Sequence, residues 1–138
     1  MAAQAQLLGR VTYEGFAAAW PSVTDESGFA DRMNSMPKYV VSSTLKTAGW
    51  NNSTIIGMSD VAGLRDAREG VLLVAGSGTL VRGLLERGLV DEVRLMVFPV
   101  ALGSGRRLFA EAPLSLFTLT SSRPVGPDGV IVVTYVPA

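Results

Sequence analysis

The run Val71-Leu72-Leu73-Val74-Ala75-Gly76-Ser77-Gly78-Thr79-Leu80 sets the fold class of this chain. Five consecutive apolar residues suit a parallel strand at the centre of a sheet, covered on both faces. A glycine-rich turn, Gly76–Thr79, follows. Leu80, Val81, Leu84 and Leu85 then recur at helical spacing, and Gly88 supplies the left-handed residue that ends such a helix. The same order occurs upstream. Ala5–Leu8 is a short apolar run that closes at Gly9. Tyr13, Phe16, Ala17 and Trp20 then fall at i, i+3, i+4 and i+7, one face of a helix that Pro21 stops. Two strand–glycine–helix units in one short chain predict an α/β protein.

The remaining segments extend that pattern. A short helix is expected over Phe29–Ser35, a strand over Lys38–Val41 and another over Thr54–Ile56. Ser59 or Asp60 can cap the next helix, with Gly70 just beyond its end. Glu92–Val100 reads as a strand, with Val93, Leu95 and Val97 on one side. Ser115–Ser122 and Val130–Val136 read as the arms of an antiparallel hairpin that turns at Pro127-Asp128-Gly129. With no linker, repeat or low-complexity tract, residues 1–138 are expected to form one domain: a mostly parallel mixed sheet, flanking helices and an antiparallel edge.

Composition removes several function classes. The chain has no Cys and no His, which excludes disulfides, thiolate chemistry, Ser-His-Asp catalysis and the usual zinc sites. No acidic cluster has calcium-loop spacing, so no metal site is expected. Twelve basic residues balance twelve acidic ones without a basic stripe, which argues against nucleic acid. No apolar run nears the roughly 20 residues that span a bilayer, and the first residues lack the basic and apolar regions of a secretory signal. A cytoplasmic protein without a membrane partner is the expectation. Hydrophobic residues reach 48% and charged ones only 17%, with a mean hydropathy of +0.33. That balance fits strands buried on both faces, or a surface covered by a partner subunit.

What remains for chemistry is backbone amides, hydroxyls and a few arginines. Helix starts present unpaired N–H groups and a partial positive charge, and glycine lets a ligand approach the backbone. Either glycine turn alone is what any α/β chain uses to change direction. Both together, with Arg10, Thr12, Ser77 and Thr79 at the turns, favour an anion site. Two familiar phosphate motifs do not apply. Gly78 and Gly83 have P-loop spacing, but Leu84 stands where the lysine belongs. Gly76 and Gly78 open a G-x-G, but Val81 replaces the third glycine, and Asp91 and Glu92 precede the next strand rather than follow it. Ser42-Ser43-Thr44 closes a strand with three hydroxyls, which suits either a phosphate or ribose contact or a local turn. Leu102–Arg107 is a glycine- and arginine-bearing loop. Glu14, Asp31 and Asp60 are the carboxylates available as acids, and no spacing pairs them. Tyr13, Phe16, Trp20 and Trp50 read as core.

Four segments together resemble the dihydrofolate-reductase-like family, in its RibD C-terminal domain branch. Leu8-Gly9-Arg10-Val11-Thr12-Tyr13-Glu14 resembles the segment that opens a cofactor helix there. Val41-Ser42-Ser43-Thr44 resembles the strand end that holds an adenosine 2′-phosphate. Ala75-Gly76-Ser77-Gly78-Thr79-Leu80 resembles the turn that meets the pyrophosphate and nicotinamide ribose. Leu95–Gly105 resembles the strand and loop of the riboflavin-biosynthesis branch. The resemblance implies an enzyme, an NADPH-dependent reductase of a small pterin-like or ribosylaminopyrimidine-like substrate, often a homodimer. It implies cofactor contacts from Gly9, Arg10, Thr12, Ser42, Ser43, Thr44, Gly76, Ser77, Gly78, Thr79 and Leu80. Phe98, Pro99, Gly103, Ser104 and Gly105 would lie towards the substrate; no catalytic residue is nominated. Family members carry a further strand and helix before the segment matching Leu7, so the family's first strand is expected to be missing here. A non-catalytic nucleotide-binding or structural homodimer is the alternative expectation, and a protein-interaction module a third.

Overall fold

A computed structural model describes residues 2–138. The chain forms two compact units, residues 1–81 and 82–138, with the division inside one helix. The first unit is a parallel sheet with helices. Strand β1 (Ala3–Gly9) leads directly into α1 (Arg10–Ala19), and a 3-10 turn at Trp20–Ser22 follows. Next come α2 (Phe29–Ser35), β2 (Lys38–Val41), β3 (Ser53–Ile56), a 3-10 turn at Met58–Asp60, α3 (Val61–Ala67) and β4 (Val71–Val74). Helix α4 (Gly78–Glu86) carries the chain into the second unit. There β5 (Val93–Val97), β6 (Phe117–Val125) and β7 (Val130–Pro137) form the other sheet.

The first sheet has the order β3-β2-β1-β4 with every pairing parallel. β1 has a neighbour on each side, and Ala5, Gln6, Leu7 and Leu8 are essentially without exposure. That is the burial expected of a parallel strand covered on both faces. On one side Leu8, Tyr13, Met33, Val40 and Trp50 make the core, with Phe16, Ala17 and Trp20 packed against it. The helical face Tyr13–Phe16–Ala17–Trp20 therefore points inward, as its spacing requires. The Tyr13 hydroxyl donates to Ser53 Oγ at 3.1 Å and accepts from the Trp50 amide at 3.0 Å, so this buried ring keeps its polar tip satisfied.

The antiparallel sheet has the order β5-β7-β6. Four residues, 126–129, turn the hairpin, with Gly126 and Gly129 at φ +67° and +77°. A bulge at Thr120 interrupts β6, and its hydroxyl donates to the Thr134 carbonyl at 3.1 Å. Helix α4 ends at a glycine as read: the Leu89 amide donates to the Leu84 carbonyl and the Gly88 amide to that of Leu85. This is the paired Schellman arrangement, with Gly88 at φ +64°.

Four expectations need correction. The anticipated single mixed sheet is two sheets, one parallel and one antiparallel. The run Val71–Ala75, read as a central strand covered on both faces, is an edge among the described strands, with Leu73 exposed and Val71, Leu72 and Val74 only partly buried; an apolar run fixes neither its strand neighbours nor what covers it. Strand β5 is shorter than Glu92–Val100 because Pro99 has no amide to donate. The Val100 amide instead closes a tight turn onto the Phe98 carbonyl at 2.8 Å. Asp60 also serves differently from a cap on α3. Its carboxylate accepts from the Gly57 amide at 2.8 Å, closing the turn after β3.

Candidate functional site

Parallel pairing puts the C-terminal ends of β1 and β4 at the same edge of the sheet, with Leu7 opposite Val74. Both strands then turn on a glycine, and the two turns touch. The Gly9 amide donates to the Gly76 carbonyl at 3.2 Å. A Cβ on Gly9 would stand 2.7 Å from Ser77 Oγ and 3.2 Å from the Ser77 amide nitrogen. One on Gly76 would stand 3.0 Å from Thr12 Oγ1. Gly76 also has φ +145°, a conformation that side-chain-bearing residues avoid. Close approach therefore favours glycine at both positions, and the dihedral demands it at Gly76. Gly9, Arg10, Thr12, Gly76 and Ser77 form one cluster from segments more than sixty residues apart in the sequence.

The two helix starts at this edge are finished differently. At α4 the Ser77 hydroxyl accepts from the Leu80 amide at 3.3 Å, and the Val81 amide bonds to the Ser77 carbonyl at 3.0 Å. Leu80 is 4% exposed, so its side chain belongs to the core and only its backbone faces the turn. Gly78 and Thr79 occupy the first turn of this helix. At α1, Gly9 precedes the helix in an extended conformation, no side chain caps the free amides, and no acid lies in the first turn. The first helical residue is a cation, Arg10. Its guanidinium bonds to Glu14 at 2.9 Å, one turn along.

The third expected segment lies one strand away. Val41 pairs with Gly9, so Ser42 leaves the sheet beside the α1 start. The Ser42 hydroxyl accepts from the amides of Thr44 and Leu45 at 3.2 and 3.0 Å, which makes it the hinge of a local turn. Ser43 and Thr44, both exposed, line a cavity of about 370 Å³ together with Val41, Ser42, Gly57 and Met58. Gly57 and Met58 were not read from the sequence as site residues, although Ile55-Ile56-Gly57 repeats the strand–glycine signal of the other two turns. A larger hollow, about 790 Å³, opens along α1 between Tyr13, Glu14, Ala17, Leu45 and Trp50.

Phe98, Pro99, Gly103, Ser104 and Gly105 belong to the second unit, in the exposed connection after β5. Pro99 lies against the hairpin turn: a Cβ on Gly129 would meet its ring at 3.4 Å. No group of three or more acidic side chains is placed to hold a metal among the described residues, and no helix there is long and apolar enough to cross a membrane.

Sequence reading also missed Lys38. Its ammonium is fully buried and donates to the carbonyls of Asn34, Met36 and Asn51 at 2.9, 2.7 and 2.9 Å. It sits 4.2 Å from the centre of the Trp50 ring. Burial pulls it from 10.5 down to about 8. It stands at the opposite end of β2 from Ser42 and braces the fold.

A family model, the RibD C-terminal domain, matches residues 1–131. The chain belongs to the RibD C-terminal domain family. None of the curated proteins matches this member of the family. Solved structures that share its fold include the following two. A candidate riboflavin biosynthesis protein from Shewanella sp. PV-4 aligns with a TM-score of 0.74 at 21% identity, over 99% of this chain and 75% of that one. Dihydrofolate reductase from Enterococcus faecalis, complexed with NADP(H) and RAB-propyl, aligns with a TM-score of 0.63 at 16% identity, over 96% and 73%. The RibD C-terminal fold seen here is thus the dihydrofolate-reductase-like one.

Proposed function

We propose that this RibD C-terminal domain binds NADPH at the sheet edge of its first unit and reduces a small pterin-like or ribosylaminopyrimidine-like substrate. The contact between the Gly9 and Gly76 turns carries this reading. It joins an uncapped helix start, two glycine turns packed so closely that a Cβ on either would press on the other turn or its helix, and an arginine, which is a donor set suited to phosphate oxygens. Gly9, Gly76 and the first amides of α1 would hold the pyrophosphate. Arg10, with Ser42, Ser43 and Thr44 one strand away, would hold the phosphate on the adenosine ribose. The bound nicotinamide supplies a hydride, a chemistry that needs neither Cys nor His from the protein. Phe98, Pro99 and Gly103–Gly105 are proposed to contact the substrate, and the apolar surface of the second sheet to pair with a second copy of the chain.

One observation favours a nucleotide-binding protein without turnover. The carboxylates beside the Gly9 and Gly57 turns are engaged, Glu14 by Arg10 and Asp60 by the Gly57 amide. A single titration followed by an assay separates the two readings. Saturable quenching of tryptophan fluorescence by NADPH is expected, weakened by Arg10→Ala about tenfold or more, the loss expected of one charge-assisted hydrogen bond. Steady oxidation of NADPH by a dihydropterin or a ribosylaminopyrimidine supports the reductase. Binding without oxidation supports the alternative, and no saturable binding overturns both.

A further inference from the structure

The Arg10–Glu14 pair runs against both electrostatic preferences of a helix. The N-terminal end of a helix carries partial positive charge, so an acid belongs in its first turn and a cation does not. Among i, i+4 pairs the acid is better placed nearer the N-terminus. Here Arg10 is the first helical residue and Glu14 lies a turn later, 2.9 Å away. The pair does little for the helix, because both side chains are half exposed, 45% and 49%, and exposed pairs of this kind shift an equilibrium only about twofold. The arrangement instead keeps a guanidinium beside an already positive, uncapped helix start, on a tether that is easily broken.

We infer that Glu14 is an internal competitor that occupies the Arg10 guanidinium until a phosphate displaces it, and that it thereby lowers the affinity of this site for phosphate-bearing ligands. The inference rests on the reading of Arg10 as a phosphate ligand. A tethered carboxylate has one negative charge and two acceptor atoms. A phosphomonoester has nearly two charges and three acceptor oxygens, and a guanidinium grips such a group by two parallel bonds. Singly charged anions therefore lose to Glu14, while a doubly charged phosphate wins. Glu14 lowers by one common factor the affinity of every ligand that must take Arg10 from it, and leaves unchanged a ligand that makes no contact with Arg10.

The test is calorimetric titration of NADP⁺, NAD⁺ and 2′-AMP into the full chain, as wild type, Glu14→Gln, Arg10→Ala and the double variant. Glu14→Gln is expected to tighten NADP⁺ and 2′-AMP about two- to fivefold, the scale of an exposed ion pair plus one removed like charge, and to leave NAD⁺ unchanged. In the Arg10→Ala background the same substitution is expected to change neither. An unchanged or weakened affinity in Glu14→Gln overturns the inference. So does an equal gain with and without Arg10, which would make the effect a long-range one of charge. If Arg10→Ala binds NADP⁺ as well as wild type does, the phosphate role of Arg10 falls and this inference falls with it. If Arg10→Ala loses affinity while Glu14→Gln does nothing, only the competitor role is lost. Thermal melts of all four proteins are expected to agree within a few degrees.

Discussion

Helices α1 and α2 lie in the same unit and their ends are treated in opposite ways. The start of α2 is closed by the protein itself. Asp25 accepts from the amides of Phe29 and Ala30 at 3.2 and 2.9 Å, Ser27 also donates to its carboxylate, and Asp31 adds charge in the first turn. The Ser27 hydrogen bond, then the Ala30 amide, hold the Asp25 carboxyl below the usual range. The far end is closed by Lys38, which donates to the carbonyls of Asn34 and Met36. Helix α1 begins with a glycine, no side-chain cap, no acid and a cation. A helix end completed by its own chain serves stability. One left open, with positive charge added, stays available to an anion from outside. The lesson lies in the contrast, because neither end alone distinguishes economy from function.

The largest test concerns the closed helix. Lys38→Met leaves three carbonyls without their common donor, at about 1–3 kcal/mol for each buried group left unpaired. Relief from burying a charge offsets part of this. The net loss is expected near 3 kcal/mol by denaturant titration, with NADPH affinity unchanged. The sign with pH follows from the lowered value. Between about 8 and 10.5 the unfolded chain still holds a proton at this site that the folded chain has released. Stability therefore rises with pH across that window, and Lys38→Met lacks the rise. Asp25 acts at the other extreme, where stability is lost as its carboxylate protonates in acid. A flat wild-type profile from pH 8 upward would contradict the lowered value at Lys38.

Much of this was legible in the chain. Phe29–Ser35 and Lys38–Val41 were read to the residue, since the hydrophobic spacing changes across Pro37 and proline ends a helix there. The turns at Gly9 and Gly76 were legible as candidates, and parallel pairing of β1 with β4 is what brings them into contact. Lys38 was not legible, because its three carbonyls come from Asn34, Met36 and Asn51 and converge only in the folded state. Gly57 carried the same strand–glycine signal, but the helix after it is short and lacked the apolar repeat that marked the others. The edge position of β4 escaped notice because an apolar run fixes neither the strands beside it nor what covers its faces, and both depend on the whole topology.

The open helix start is probed next. Gly76→Ala introduces a Cβ at φ +145°, within 3.0 Å of Thr12 Oγ1. Backbone strain of about 1–3 kcal/mol is expected, together with a tenfold or greater loss of NADPH affinity in the fluorescence titration. Gly15→Ala is the control in the same helix. Nothing stands within 4 Å of its Cβ, so stability should rise by about 0.5–1 kcal/mol and NADPH affinity should hold. Equal effects of the two substitutions on binding would mean that α1 as a whole, rather than its contact with the second turn, governs the site.

The smallest expected effect is the sharpest. Val11 is the second residue of α1, 63% exposed, so its replacement disturbs little packing. Val11→Glu gives α1 the first-turn acid that α2 already has in Asp31. The helix should gain about 0.3–1 kcal/mol from its dipole, seen as a higher midpoint in urea. The same charge faces any phosphate at the helix start, so NADPH affinity should drop severalfold. Opposite signs in one variant are what an end reserved for an anion requires. If stability and affinity rise together, or if affinity does not move, the open end of α1 is a gap in its construction and the phosphate belongs elsewhere.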